Sequence, residues 1–496
     1  MPLTPNAIYE DFKNRDLDFS SALQLLITLI ENTDNIDTRL ESIEILEKIQ
    51  AKDDRVFKLL ENLLISDSNK EIRNVAAHFI KTYFLNRALK PMKWALEHET
   101  AIKCIITVIS TLSEINNEKS KSILIDKLNY FYNQELKYNL KDLFIFKRIE
   151  NFRLKELSEI LINYFFIKFL KIKFGYIKFE FDNSGFITKL DLTNVDPQGI
   201  FLTDFLDLIS SLKHLRILDL RFNKLIKLLE ISNEINSIIS LDLSYNHLIN
   251  LTESIDKLKS LKILNLKSNR LRTLPDSLGD LKSLQTLNLR NNMLKKIPKS
   301  IKSLKKIKAL DLHGNKLNSI EFKLSSSIQK LELGWNNFIE VPPRIKYLTS
   351  LEELGMSGNK LKTLPKWISS FQLLKVLNLY DNDIMNLPDS IGFLKSLEVL
   401  ILRNNNLFKL PDTFQQLKSL KKLNISWNNF TCIPEWIGEL DSLEELNLWG
   451  NQLETLPKSI LSLSQLKILD LNFNKFEHFP PFLKELERKK DLIIKY

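Results

Sequence analysis

Residues able to do chemistry are few in this chain and poorly placed for it. His98 and Glu99 open the segment HETAI, one residue short of H-E-x-x-H, in which two imidazoles a helical turn apart hold zinc and the glutamate activates water. Position 102 is Ile102, so the second ligand is missing and no metal is expected. A phosphate cradle needs a glycine-rich loop ending in Gly-Lys-Ser/Thr, which the Gly-Asn-Lys triplets at Gly314–Lys316 and Gly358–Lys360 lack. Cys104 and Cys432 are the only cysteines, neither lies beside a histidine, and they build neither a disulfide framework nor a metal cluster. The histidines are scattered; His313 is placed to project from a strand, His78 to lie partly covered on a helix. The expectation is a protein without enzymatic activity or cofactor.

What the chain carries instead is a period. Asn223, Asn246, Asn269, Asn292 and Asn315 follow one another at 23 residues, and after one 21-residue step the series resumes at Asn336 and continues through Asn359, Asn382, Asn405, Asn428, Asn451 and Asn474. Each ends the pattern L-x-x-L-x-L-x-x-N-x-L, as in LRILDLRFNKL at Leu215–Leu225 and LEELNLWGNQL at Leu443–Leu453. The L-x-L alternation predicts a short strand with one face buried, and no unit can bury its leucines without a neighbour. An amide both donates and accepts, so the asparagines predict a buried ladder after the strands. The second half of each unit, as in LPDSLGDLKSL from Leu274 and IPEWIGELDSL from Ile433, opens with a proline that fixes φ where the chain turns back, followed by a short helical turn. Helical turns are wider than strands, so the stack curves with its strands on the concave face. One unit, Leu317–Ile328, lacks the proline and two residues.

Side chains flanking the strand leucines face solvent on that concave side. The candidate interaction residues are Arg221, Tyr245, Lys267, Arg290, His313, Trp335, Tyr380, Arg403, Trp427, Trp449 and Phe473. Trp, Tyr and Arg are the residue types that dominate binding energy at protein interfaces, and nothing in the repeat requires large aromatics there. The alternative is that neighbouring rings lie flat over the strands and cover one another.

These units resemble the leucine-rich-repeat proteins, in particular the intracellular LPxxIxxLxxL subclass of scribble, erbin and the Ras-suppressor proteins. The resemblance covers residues 215–480 and extends toward GFITKLDLTNV at Gly185–Val195. It implies a scaffold or adaptor in the cytoplasm, with a small GTPase or its effector as the partner class.

Residues 1–175 differ. Amphipathic stretches of helical period begin at Ser20, Asp37, Asp54, Lys70, Thr100 and Ser120, separated by short polar joints. Arg39 and Arg73 lie 34 positions apart, with Lys103 after another 30, a spacing similar to that of HEAT repeats; an irregular helical bundle is the alternative. Phe144 to Phe174 reads as a last long helical element. The expected fold is thus an α/β leucine-rich-repeat solenoid preceded by an all-α, HEAT/armadillo-like domain. Its parts would be residues 1–175, a cap and degenerate first repeat at 176–214 entered by a strand at Tyr176–Glu180, twelve units at 215–480, and a capping helix at 481–496.

The formal net charge is +10, and nearly all of it lies beyond residue 180, where 44 Lys and Arg face 35 Asp and Glu. Repeated LKSL pieces spread that lysine at the structural period, which favours solubility over a compact nucleic-acid surface. Association of the lysine-rich solenoid with nucleic acid or an anionic membrane is the second functional reading. The most lipophilic stretch, Leu161–Phe174, is broken by Lys168, Lys171 and Lys173 and predicts no transmembrane segment.

Overall fold

The computed structural model describes residues 4–134, 149–182, 184–196, 208–228, 231, 235–478, 480–487 and 492–496. Contacts divide the chain into two compact units, Met1–Leu190 with Leu208–Leu215, and Asp191–Asp207 with Arg216–Tyr496.

The first unit is built from α1 (Pro5–Asn14), α2 (Phe19–Asn32), α3 (Ile36–Lys48), α4 (Asp54–Ser66), α5 (Lys70–Tyr83), α6 (Leu89–His98), α7 (Ile102–Ile115), α8 (Glu118–Gln134) and α9 (Leu154–Phe174). Polar residues before the helices stop the backbone N–H groups of the first turn from going unpaired: Asp18, Asn35 and Asp53 accept from Ser21, Thr38 and Val56 at 2.9, 3.0 and 2.9 Å. Helix α3 packs on α5, α5 on α7 and α7 on α9, while α4 packs on α6, which is the two-layer stacking of a HEAT-like array. Leu26, Ile43, Leu60, Ile80, Val108 and Leu161 are fully buried between the layers.

Two of these helices escaped the sequence reading. Helix α1 starts on Pro5 behind a Thr4 cap, and α6 carries Pro91 in its first turn. Both prolines sit where the N–H has no intrahelical acceptor, so neither breaks its helix. Of the expected last element, residues 144–148 lie outside the described residues; α9 takes up Leu154–Phe174. The expected entry strand is instead the first half of a hairpin, β1 (Lys178–Phe181) and β2 (Ile187–Asp191), turned by Asp182, whose carboxylate accepts from Ser184 and Phe186 backbone N–H at 2.9 and 3.1 Å.

The second unit is a parallel stack of three-residue strands, from β3 (Ile217–Asp219) to β14 (Ile468–Asp470), one for each ladder asparagine. Leucine stands opposite leucine across the stack, as in Leu218 against Leu241 and Leu446 against Leu469. The return side is made of five-residue 3-10 turns such as Asp276–Asp280, entered through Pro275 at φ −70°. The short unit has no such turn between β7 (Ala309–Asp311) and β8 (Lys330–Glu332); Ser327 donates to the Ile307 carbonyl at 2.7 Å instead. Leu310 still pairs with Leu331, so the two-residue deletion is absorbed on the return side and the strand face keeps its register.

The expected helix over residues 481–496 is corrected. Among the described residues of this segment, Leu483–Glu487 are helical (α10), with Leu483 and Leu486 buried, and Ile493–Lys495 form a further parallel strand, β15, against β14 with Ile494 opposite Leu469. Adjacent isoleucines favour extended backbone, and pairing answers the open N–H and C=O groups of β14.

The candidate interaction face and its relatives

A side chain reaches the strand face only if the turn after each strand is held, and the asparagine ladder holds it. The Asn405 amide donates to the Leu379 and Leu402 carbonyls at 3.0 Å each and accepts from Ile384 N–H at 3.0 Å. The same pattern binds Asn246 to Leu220, Leu243 and Leu225, and Asn428 to Leu402, Ile425 and Leu407.

The residue before each ladder asparagine is forced to positive φ, whatever its type. Phe222, Tyr245, Ser268, Asn291, Trp335, Asp381, Asn404, Trp427 and Phe473 take φ between 51° and 59°, and Gly314, Gly358 and Gly450 fill the remaining units. Left-handed backbone favours glycine and asparagine and penalises bulky residues. Trp335 and Trp427 nevertheless occupy it and stay 50 % and 46 % exposed. Each indole lies over the glycine of the next unit: a Cβ on Gly358 would stand 2.7 Å from Trp335 Cδ2, and one on Gly450 3.2 Å from Trp427 Cδ2.

Seven of the eleven predicted residues fall into two groups. Near the C-terminal end, Trp427 meets Trp449 edge to face at 5.3 Å between centroids, and Trp449 meets Phe473 at 6.0 Å. The Arg403 guanidinium stands 5.2 Å from the Trp449 ring and 5.7 Å from Tyr380, a cation held between two π faces. Its Nε is covered and has no hydrogen-bond acceptor among the described residues. Near the N-terminal end, Phe222 stacks on Tyr245 at 4.5 Å, with the Lys267 ammonium 5.3 Å from the Tyr245 ring. Phe222, 45 % exposed, belongs to this group although the candidate set omitted it; its place one residue before a ladder asparagine was the available signal.

The other four, Arg221, Arg290, His313 and Trp335, lie outside both groups. Arg221 is neutralised by Asp219 at 2.6 Å on its own strand, so it is no free cation. His313 is half-buried beside Arg290, and burial followed by that guanidinium holds its imidazole below the ordinary value. Next to them, burial pushes the Glu332 carboxyl up, and that side chain lies over Gly355, where a Cβ would overlap its Oε2. Trp335 stands between the two groups. The rings therefore do cover their neighbours in part, as the alternative had it, while Trp335, Trp427 and Phe473 keep large exposed faces.

The near-zinc segment has another role. His98 stacks on Trp94 at 4.3 Å, and Glu99 accepts two bonds from the Arg73 guanidinium at 2.7 and 2.9 Å. Arg39 is bound to Asp67 in the same way one helix pair earlier, so the spaced arginines link successive pairs; Lys103, the third of the series, makes no ion pair among the described residues. Cys104 is fully buried, and burial with the nearby Glu99 raises its thiol well above the ordinary range, leaving it a poor nucleophile. Among the described residues no group of three His, Cys, Asp or Glu is placed to hold a metal, and no helix is long and apolar enough to cross a membrane.

Comparison with known proteins agrees with this geometry. Residues 365–480 match the family model described as a leucine-rich repeat region, and residues 237–294 a second one described as leucine rich repeat. Among solved structures, a leucine-rich-repeat protein of Leptospira interrogans is 31 % identical over 66 % of this chain and 94 % of its own, with a TM-score of 0.48. A plant peptide hormone receptor solved with its peptide is 25 % identical over 58 % of this chain and 52 % of its own, with a TM-score of 0.45. An internalin of Listeria monocytogenes is 20 % identical over 56 % of this chain and 85 % of its own, with a TM-score of 0.43. No curated protein matches the chain. The match is to repeats in general and none of these relatives points to the scribble or Ras-suppressor subclass. With twelve strands stacked leucine on leucine, each followed by an asparagine bonded across to the preceding unit, the chain belongs to the leucine-rich-repeat proteins.

Proposed function

We propose that the solenoid is a non-enzymatic docking scaffold whose strand face takes a folded protein partner on the ridge running from Tyr380 to Phe473. One observation carries this reading: large aromatics remain exposed at backbone positions whose positive φ favours glycine or asparagine, a cost the repeat itself does not require. Four strand intervals separate Tyr380 from Phe473, about 19 Å at the usual strand spacing, which suits one helix or one edge of a compact domain. Arg403, pinned between Tyr380 and Trp449, supplies a fixed cation at the centre of the ridge. The sequence resemblance to the Ras-suppressor subclass makes a small GTPase or its effector the first partner class to try, and the comparisons add nothing to that choice. Two free cysteines, Cys104 buried and Cys432 exposed, favour the cytoplasm as the place of action.

The test is Trp427→Asn combined with Trp449→Ala, read by thermal unfolding and by capture of partners from the native cell. Asparagine suits the left-handed position, so stability is expected to change by no more than about 1–2 kcal/mol, while partner capture is lost. A parallel loss of fold and capture, or capture unaffected by the double change, defeats the proposal.

A further inference from the structure

The strand face is not the unit's only recess. On the flank that follows the strands, a cleft of about 840 Å³ runs across three successive repeats. Arg272, Lys295, Lys296, Lys299 and Lys316 line it, with Asp276 as its one carboxylate. All five cations are exposed, and none of them makes an ion pair among the described residues. Between them lie Leu274, Ile297 and the part-exposed Met293, an apolar floor under a cationic rim.

The charge is densest in this part of the stack. Residues 281–310 hold eight lysines and Arg290 without a single Asp or Glu. Directly after the ladder asparagine the early units place Lys224, His247, Arg270, Met293 and Lys316, whereas the later units place Asn337, Lys360, Asp383, Asn406, Asn429, Gln452 and Lys475, with two lysines among seven. Later units also neutralise their lysines from the neighbouring repeat, as in Lys375–Glu352, Lys421–Glu398 and Lys467–Glu444 at 2.7, 2.7 and 2.6 Å. Stacking at about 4.8 Å per repeat brings like charges together, and unrelieved repulsion lowers stability. The chain has the means to neutralise such columns and does not use it here. Arg272, Lys295 and Lys316, about a repeat apart in sequence, are brought by the fold beside Lys296 and Lys299 into one basic surface, while the LKSL lysines Lys259, Lys282 and Lys418 lie outside it. Burial first, then Arg270 and Lys224, holds the His247 imidazole on this flank below the ordinary value.

We propose that this cleft is a second docking site, and that it takes an acidic peptide segment of a protein partner, with an apolar side chain set among its carboxylates. Carboxylates answer the rim, and the apolar side chain answers Leu274, Ile297 and Met293. A bare polyanion has nothing to offer that floor, which favours the peptide over a nucleic-acid backbone or a lipid headgroup.

The experiment uses the full chain and a short labelled peptide of glutamates interrupted by leucine, read by fluorescence anisotropy at rising salt. Binding is expected. Lys295→Glu with Lys299→Glu should weaken it about tenfold or more, Lys295→Gln with Lys299→Gln by less, and replacement of the peptide's leucines by serine severalfold. Lys58→Glu with Lys90→Glu, the same charge change on exposed helical positions, should leave it intact, as should Trp427→Asn, which separates this site from the strand-face ridge. Circular dichroism checks that each variant is folded. The proposal is overturned by absent peptide binding, by an equal loss in the helical-region variant, by indifference to the leucines, or by tighter binding of a single-stranded oligonucleotide or phosphatidylserine vesicles through the same lysines.

Discussion

Glu99 stands where a zinc hydrolase would place its general base, and its carboxylate is held by Arg73 instead. Burial alone would raise that carboxyl, but the Arg73 guanidinium and the backbone N–H groups of Ala101 and Thr100 outweigh it and hold the value at about 2. A depressed carboxyl stabilises the folded state only while ionised. Its contribution is complete above the ordinary value near 4.5 and is lost as pH falls from there through about 2. Glu99→Gln is therefore expected to cost about 2–4 kcal/mol at neutral pH by leaving Arg73 covered and unpaired. It should also flatten the stability profile between pH 4.5 and 2; urea titrations across that range measure both. A mutant profile parallel to wild type would remove the pair from the acid-sensitive groups.

The element that repeats is a strand with an asparagine behind it, and the amide is irreplaceable there for a simple reason. Both Nδ2 hydrogens of Asn405 go to carbonyls of two different units, and Oδ1 takes an N–H that no strand can reach. Asn405→Ala in the middle of the stack leaves the Ile384 N–H without an acceptor and takes one of two asparagine donors from each of the Leu379 and Leu402 carbonyls, which keep Asn382 and Asn428, and is expected to lower stability by about 2–3 kcal/mol. The equivalent Asn474→Ala, in a half-buried site that water can enter, should cost about 1 kcal/mol. Equal losses at the two sites would mean that the ladder's hydrogen bonds do not set the energy. The proline-led return is more forgiving, since Leu317–Ile328 dispenses with proline and 3-10 turn alike while Leu310 and Leu331 stay paired.

For the solenoid as a whole, the open edges decide solubility. A parallel stack offers unpaired backbone at its last strand, and β15 supplies the missing partner: Ile493 N–H donates to the Lys467 carbonyl and Leu471 N–H to that of Lys495, both at 2.8 Å. Deleting residues 492–496 strips β14 of those bonds. The expected outcome is concentration-dependent self-association, visible by light scattering coupled to size exclusion, with the repeat register unchanged. A truncated chain that stays monomeric and equally stable would show that α10 alone is a sufficient cap.

Period, strand, ladder and return turn were legible in the sequence because each is local: alternation sets the strand, the amide sets the ladder, and proline sets φ at the return. Helical period and polar caps did the same for α2 to α5, whereas α1 and α6 were hidden by prolines whose harm depends on where in the helix they fall. Candidate aromatics could be listed by position. Their arrangement could not, because Trp427 on Trp449, Arg403 between two rings and Phe222 on Tyr245 are contacts between residues about 22 to 46 positions apart in sequence. The fate of Ile493–Lys495 depended on the unpaired edge of β14, which no local pattern announces. Charge followed the same rule in part: Lys295, Lys296 and Lys299 are neighbours in sequence, but only stacking of the repeats brings Arg272 and Lys316, about a repeat away on either side, into the same cleft.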